Sequence, residues 1–198
     1  KHGGIMRSAE RRWGGQYDIQ QEGTCSWCNT LFGPRYDNLV RHRDDSPGTF
    51  VPDLAESWEV SGDGKVFTFN LRKGVKFHDG TDFNAADVHA TYSRIANPPE
   101  GVVSTRTDWF KDVVSMETPD DHTFVVTLAK PLAYFLDYLA YGQMVINSKE
   151  FLEANNYDLK RRPDMPGTGP FMFKELREGQ SMTYERNPNY WNGDLPFL

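Results

Sequence analysis

No apolar run in this 198-residue chain approaches the roughly 20 residues that a membrane-spanning helix needs. Positive charge is in the minority, 22 Lys and Arg against 28 Asp and Glu, for a net charge of −6. Binding phosphate backbones needs a clustered cationic excess. The only basic clusters, Arg11-Arg12 and Lys160-Arg161-Arg162, are too short to supply one, so no nucleic-acid partner is expected. The catalytic signatures G-x-S-x-G, H-E-x-x-H and G-x-x-x-x-G-K-[ST] do not occur. The opening stretch KHGGIMRSAERRWGG has no hydrophobic core of a leader, so any signal peptide is expected to have been removed already.

Cysteine is confined to Cys25 and Cys28, in CSWC. That spacing can serve a redox centre or half of a zinc site. A structural zinc wants four ligands, and no second CxxC or HxxxH is available. A thioredoxin-type motif opens a helix after a strand, whereas EGTCSWCNTLFGPRYDNL has a polar, Gly-flanked approach. A local disulfide or a pair of free thiols on a loop is the simpler reading, and a thiol-redox protein remains the alternative.

With 38% apolar and 14% aromatic residues, the chain has the composition of a soluble, acidic protein of mixed α and β structure. At this length it can bury roughly 70% of the surface its unfolded form exposes. Residues 57–72 read as a hairpin, because Phe67, Phe69 and Leu71 alternate with polar neighbours and Gly62-Asp63-Gly64 supplies a turn. Residues 113–130 repeat the pattern with Phe124, Val126 and Leu128, and with Pro119-Asp120-Asp121 as turn. Duplicated hairpins and two pairs within one sheet would look alike. Between them, Asn84 and Asp87 form a capping box for a helix with Val88, Tyr92 and Ile95 on one face, ending before Asn97-Pro98-Pro99. Further helices are predicted over 131–141 and 148–155, and strands over Phe171–Leu176 and Met182–Arg186.

The stretch KGVKFHDGTDFNAADVHATY, residues 73–92, packs His78, Asp79, Asp82, Asp87 and His89 into a dozen positions. Metal or acid–base chemistry requires such groups to converge. Here His78-Asp79-Gly80 make a turn, Asp87 sits in the first helical turn, and His89 falls on a different face. Turn and cap chemistry accounts for them, and no metal is expected.

Four segments, in order, carry a resemblance: YDNLV (36–40), VPDLAESWEVSGDGKVFTFNLRKGVKFHDGTDFNAADV (51–88), GTGPF (167–171) and ERNPNYW (185–191). They resemble the extracellular solute-binding proteins of family 5, the peptide- and nickel-binding group that serves ABC transporters. The resemblance implies an α+β (mixed α/β) fold of the periplasmic binding protein-like II type. Family chains are usually more than twice as long, so it further implies a first-lobe fragment with β-hairpins packed by helices. Residues 1–35 would start the core of lobe I, 36–166 an inserted subdomain, and 167–198 the strands returning to that core; the second lobe would be absent.

The implied function is binding without chemistry. A monomeric protein on the periplasmic or extracellular face would trap a peptide or other small-molecule ligand between two lobes and deliver it to a membrane permease, with no cofactor. A stand-alone interaction or sensor module is the other alternative. Aromatics on loops are the candidate ligand contacts. Trp109 comes first, since some relatives use a Trp just before this hairpin. Tyr36, Tyr141 and Met144 follow, then Trp27 between the cysteines. Trp58 and Trp191 read as structural, and Tyr134 and Tyr138 as core.

Overall fold

A computed structural model of the chain describes residues 4–9, 15–23, 30–43 and 45–193. The elements lying wholly within these residues are eight strands and three α-helices: β1 (Val40–Arg43), β2 (Ser46–Pro52), β3 (Ala55–Val60), β4 (Val66–Leu71), α1 (Ala85–Ala96), β5 (Val113–Asp120), β6 (Thr123–Leu128), α2 (Phe135–Leu139), α3 (Lys149–Ala154), β7 (Phe171–Arg177) and β8 (Ser181–Arg186). The two predicted hairpins are halves of one antiparallel sheet of order β3-β4-β6-β5, flanked by the separate ribbons β1-β2 and β7-β8.

Period-2 patterning builds the sheet's inner face. Phe67, Phe69 and Leu71 of β4, with Phe124, Val126 and Leu128 of β6, are all at most 4% exposed. Phe69 pairs directly with Phe124 across the strands. Helix α1 covers this face through Val88, Tyr92 and Ile95, with the Tyr92 ring 5.9 Å from Phe124. Phe135 of α2 covers the other end, 5.0 Å from Phe67. Aromatic payloads of this size dominate core energetics.

Two boundaries differ from the sequence reading. The second hairpin turns at Asp121-His122, because the Asp120 carboxylate accepts from the His122 N–H at 2.7 Å and the Thr123 hydroxyl at 2.9 Å; Pro119 stays in β5 beside a register shift. Helix α2 is shorter than 131–141. A tight turn donates the Phe135 N–H to the Leu132 carbonyl, and the Asn38 side chain takes the Leu139 and Tyr141 carbonyls at the far end.

Asp87 does more than cap its own helix. One carboxylate oxygen accepts the Asn84 N–H at 2.8 Å, completing the capping box. The other accepts the Lys149 N–H at the start of α3, also at 2.8 Å. Asp87 is fully buried, and burial pushes its pKa up to about 6 against the pull of these donors. Asp87→Ala strips two helix starts of an acceptor at once. The expected loss is about 1–2 kcal/mol, a fall in Tm of roughly 2–8 °C, read by thermal denaturation.

His78 is also more than a turn residue. Its Nδ1 accepts the Gly167 N–H at 3.2 Å and its Nε2 reaches the Gly169 carbonyl at 2.9 Å, which assigns the proton to Nε2. The His78 N–H donates to the Gly167 carbonyl as well. Burial pushes its pKa down to about 4. The predicted divergence of its neighbours does occur: Asp82 pairs with Lys76 at 2.6 Å and His89 is exposed. Among the described residues no group of three or more His, Cys, Asp or Glu is placed to hold a metal.

A second apolar cluster joins Tyr17, Ile19, Phe32 and Tyr36 to Val145, Leu152, Leu159 and Met165. A buried ion pair between Arg94 and Asp18 fastens this N-terminal segment to α1. The returning segment is fastened by Asp37, which accepts from Thr168 at 2.9 Å, Tyr190 at 3.1 Å and Trp191 at 2.9 Å. Asp53 lies beside it and accepts the Asn38 N–H at 2.9 Å. The structural role expected for Trp191 is the one observed, with the Arg72 guanidinium 4.4 Å above its ring.

Candidate ligand-binding surface

Trp109 sits on a 3-10 turn, Thr107–Phe110, whose anchorage explains its outward aim. The Thr107 hydroxyl donates to the Ile95 carbonyl at the end of α1, and Phe110 packs 5.6 Å from Tyr92 in the core. With those two positions committed inward, Trp109 is left half-buried on the rim. Its ring stacks on Tyr138 at 4.5 Å and 14°. Tyr141 meets it edge-on at 5.3 Å, and Tyr134 meets Tyr138 at 5.1 Å.

The supports for these tyrosines follow from helical spacing. Leu132, Phe135 and Leu139 turn into the core, so Tyr134 and Tyr138, one turn apart, fall on the flank of α2. Tyr134 is 50% exposed and Tyr138 half-buried. The expectation that both belong to the core is corrected for Tyr134, which is exposed; Tyr138 packs against the main core from its edge and, with Tyr134, extends the Trp109 surface.

Arg106, which the sequence reading did not single out, lies under this surface. Its guanidinium is 5.6 Å from the Trp109 ring and 5.4 Å from the Tyr141 ring. Nη1 donates to the Gln20 and Glu22 carbonyls and the Thr105 hydroxyl. Burial pushes its pKa down, opposed by Tyr141. The only signal in the sequence is its spacing three residues before Trp109, which places both on one short turn.

Of the residues expected at the ligand, Trp109 and Tyr141 meet here. Tyr36 and Met144 do not. Tyr36 is 6% exposed, its hydroxyl taken by Arg35 at 2.9 Å, with the ring under the same guanidinium. Met144 is fully buried in the main core. Both are covered by the chain's own packing and stand apart from the Trp109 surface. Trp27, Cys25 and Cys28 lie outside the described residues. A separate groove of about 630 Å³, lined by Ala86, His89, Ser93, Met116, Lys149 and Tyr157 among others, shares no residue with the aromatic surface.

Comparison with known proteins assigns the class. Residues 49–198 match the profile of the bacterial extracellular solute-binding proteins, family 5, and the chain belongs to that family. Heme-binding protein A of Haemophilus influenzae is 39% identical over 181 residues, covering 81% of this chain and 32% of its own length. Di/tripeptide-binding protein 2 of Pseudomonas aeruginosa is 35% identical, covering 81% and 33%. Among solved structures, the periplasmic binding protein DppA of Helicobacter pylori in complex with the peptide STSA superimposes with a TM-score of 0.77 at 31% identity, covering 89% of this chain and 38% of that one. The α+β fold is thus that of the type II periplasmic binding proteins, and the chain spans about a third of the length of these relatives.

Proposed function

We propose that this chain supplies part of the first lobe of the substrate-binding component of an ABC importer. It binds an oligopeptide or similar small solute on the periplasmic or extracellular face and passes it to a membrane permease, leaving the solute chemically unchanged. The family membership carries this reading. Names of relatives such as heme-binding protein A and di/tripeptide-binding protein 2 support the class of function and leave the solute open.

In this reading residues 1–35 and 167–198 contribute to the lobe core and 36–166 form an inserted subdomain, while an opposing lobe outside these 198 residues closes the cleft. The protein acts as a monomer. Trp109 and Tyr141 face the solute, and closure removes it from water, which strengthens each contact.

The test is calorimetric titration of the full-length protein with a mixed tripeptide library. Saturable binding is expected, and Trp109→Ala weakens it roughly tenfold through loss of about 1–1.5 kcal/mol of ring contact. The 198-residue chain alone binds no tighter than about 1 mM, equivalent to about 4 kcal/mol, because one wall buries only part of a ligand. Undiminished affinity in Trp109→Ala would remove that residue from the site.

A further inference from the structure

Two carboxylates lie side by side at the seam where the returning segment meets β1 and β3. Asp37 and Asp53 are each 7% exposed, and among the described residues neither forms an ion pair. A buried charge is costly unless it is paired and hydrogen-bonded. All three donors to Asp37 are neutral: the Thr168 hydroxyl, the Tyr190 hydroxyl and the Trp191 indole N–H. Asp53 receives a single main-chain donor, the Asn38 N–H.

The cations nearby leave the pair uncompensated. Arg41 on β1 is exposed and acts on both carboxylates only through space. Arg72, just past β4, commits Nε to the Asp53 main-chain carbonyl at 2.6 Å and lays its face on the Trp191 ring. Burial and the two carboxylates keep the Tyr190 hydroxyl protonated. Neighbouring acids without a counter-ion share one proton between them. Three donors favour the charge on Asp37, so Asp53 holds the proton.

The two sides of the seam differ in strength. Thr168 is fully buried, and its neighbours Gly167 and Gly169 occupy both ring nitrogens of His78. Tyr190 and Trp191 are half-buried. The anchor before them is Asn187, whose N–H and side chain hold the Pro170 and Gly169 carbonyls. Water therefore reaches the carboxylates with least disruption by lifting the Tyr190–Trp191 end.

We propose that Asp37 and Asp53 form a proton-operated latch, in which one shared proton keeps Tyr190 and Trp191 seated and its loss frees that end while Thr168 stays closed. Once both carboxylates are charged, hydration relieves a repulsion that no buried partner offsets. In the importer reading the seam joins the lobe core to the inserted subdomain, so an alkaline medium slackens one wall of the cleft. The latch itself follows from the chemistry of the seam and does not depend on that reading.

The Trp191 indole N–H reports the latch directly. In full-length protein labelled with nitrogen-15 tryptophan, its cross-peak is the one that Trp191→Phe removes. Between about pH 5.5 and about pH 8.5 it is expected to move to the free-indole position, with a midpoint near the Asp53 value of about 7. Its exchange with water rises roughly tenfold or more beyond the intrinsic effect of pH. The Trp58 indole, on β3, stays where it is. Asp53→Asn abolishes the titration and leaves Trp191 seated throughout. Tyr190→Phe removes a donor that favours the ionised pair, so its midpoint moves to higher pH. Should Asp53→Asn fail to fold, Tyr190→Phe decides, and an unmoved midpoint then overturns the latch. So does a Trp191 signal that holds still, shifts without faster exchange, moves together with Trp58, or titrates unchanged in Asp53→Asn. Tripeptide binding plays no part in this readout, so the latch and the importer reading fail separately.

Discussion

Gly167→Ala is expected to cost about 3 kcal/mol or more, enough to deplete soluble protein and to lower Tm by roughly 6–12 °C in what does fold. A Cβ at this position would stand 1.9 Å from the Arg35 carbonyl oxygen and 2.7 Å from a Tyr36 ring carbon. The first obstacle is backbone, and the Tyr36 ring is locked by its bond from Arg35, so neither neighbour can yield cheaply. Gly169 is similar, with Arg35 backbone carbon at 2.5 Å. Gly62→Ala is the control: nothing lies within 4 Å of its Cβ position, and a change within about 0.5 kcal/mol is expected. Equal melting curves for Gly167→Ala and the unaltered protein would show that the two segments do not touch as described.

Stability should also fall as pH rises through neutrality, and Asp53 is the principal cause. Burial and the neighbouring Asp37 carboxylate push its pKa up to about 7. Asp37 is raised too, chiefly by burial, against the pull of Trp191, Thr168 and Tyr190. Between the ordinary carboxylate range near 4 and about 7, the folded state holds a proton that the unfolded chain has released. Linkage then makes stability decline with rising pH across that window. His78 works in the opposite direction: with its folded pKa near 4, the unfolded state binds the extra proton between about 4 and 6.5, so stability rises with pH there. His78 offsets only part of the decline below about 6.5, because Asp87, raised to about 6, adds to it there, as does Asp37; Asp53 is the main contributor between about 6 and 7. Relative to the unaltered protein, Asp53→Asn is expected to gain about 2–4 kcal/mol between pH 4 and pH 8, since the Asn38 N–H keeps an acceptor. Urea unfolding at several pH values measures the difference; parallel stability curves would rule out Asp53 as the titrating group.

The parts of the fold that could be read from residue order are those decided locally. Alternation at Phe67, Phe69 and Leu71 settles a strand because one face must be dry, and Asn84 with Asp87 settles a helix start because orphan N–H groups need acceptors. What stayed hidden depends on which distant segment arrives. Nothing near His78 signals that Gly167 and Gly169 will occupy both its nitrogens. Tyr36 and Met144 look like loop residues available to a ligand until the Gly167 segment and the main core close over them. Tyr138 looked like core because its helix is apolar; its position on the flank, against Trp109, is fixed by how far around the axis Phe135 and Leu139 pull the helix. Arg106 had no local mark beyond its spacing from Trp109, since an unpaired cation is recognised only once all its neighbours are known.

The Asp37 carboxylate also says something about birth order on the ribosome. Its three donors come 131, 153 and 154 positions later in the chain, which at translation speeds of about 5–20 residues per second means a delay of roughly 7–30 s. Throughout that interval the sheet and its helices can assemble, but this acidic side chain has no protein donor and must stay hydrated. The fastening of the returning segment therefore waits on the synthesis of Trp191, and a polypeptide interrupted before that residue would be left with an open seam beside the sheet.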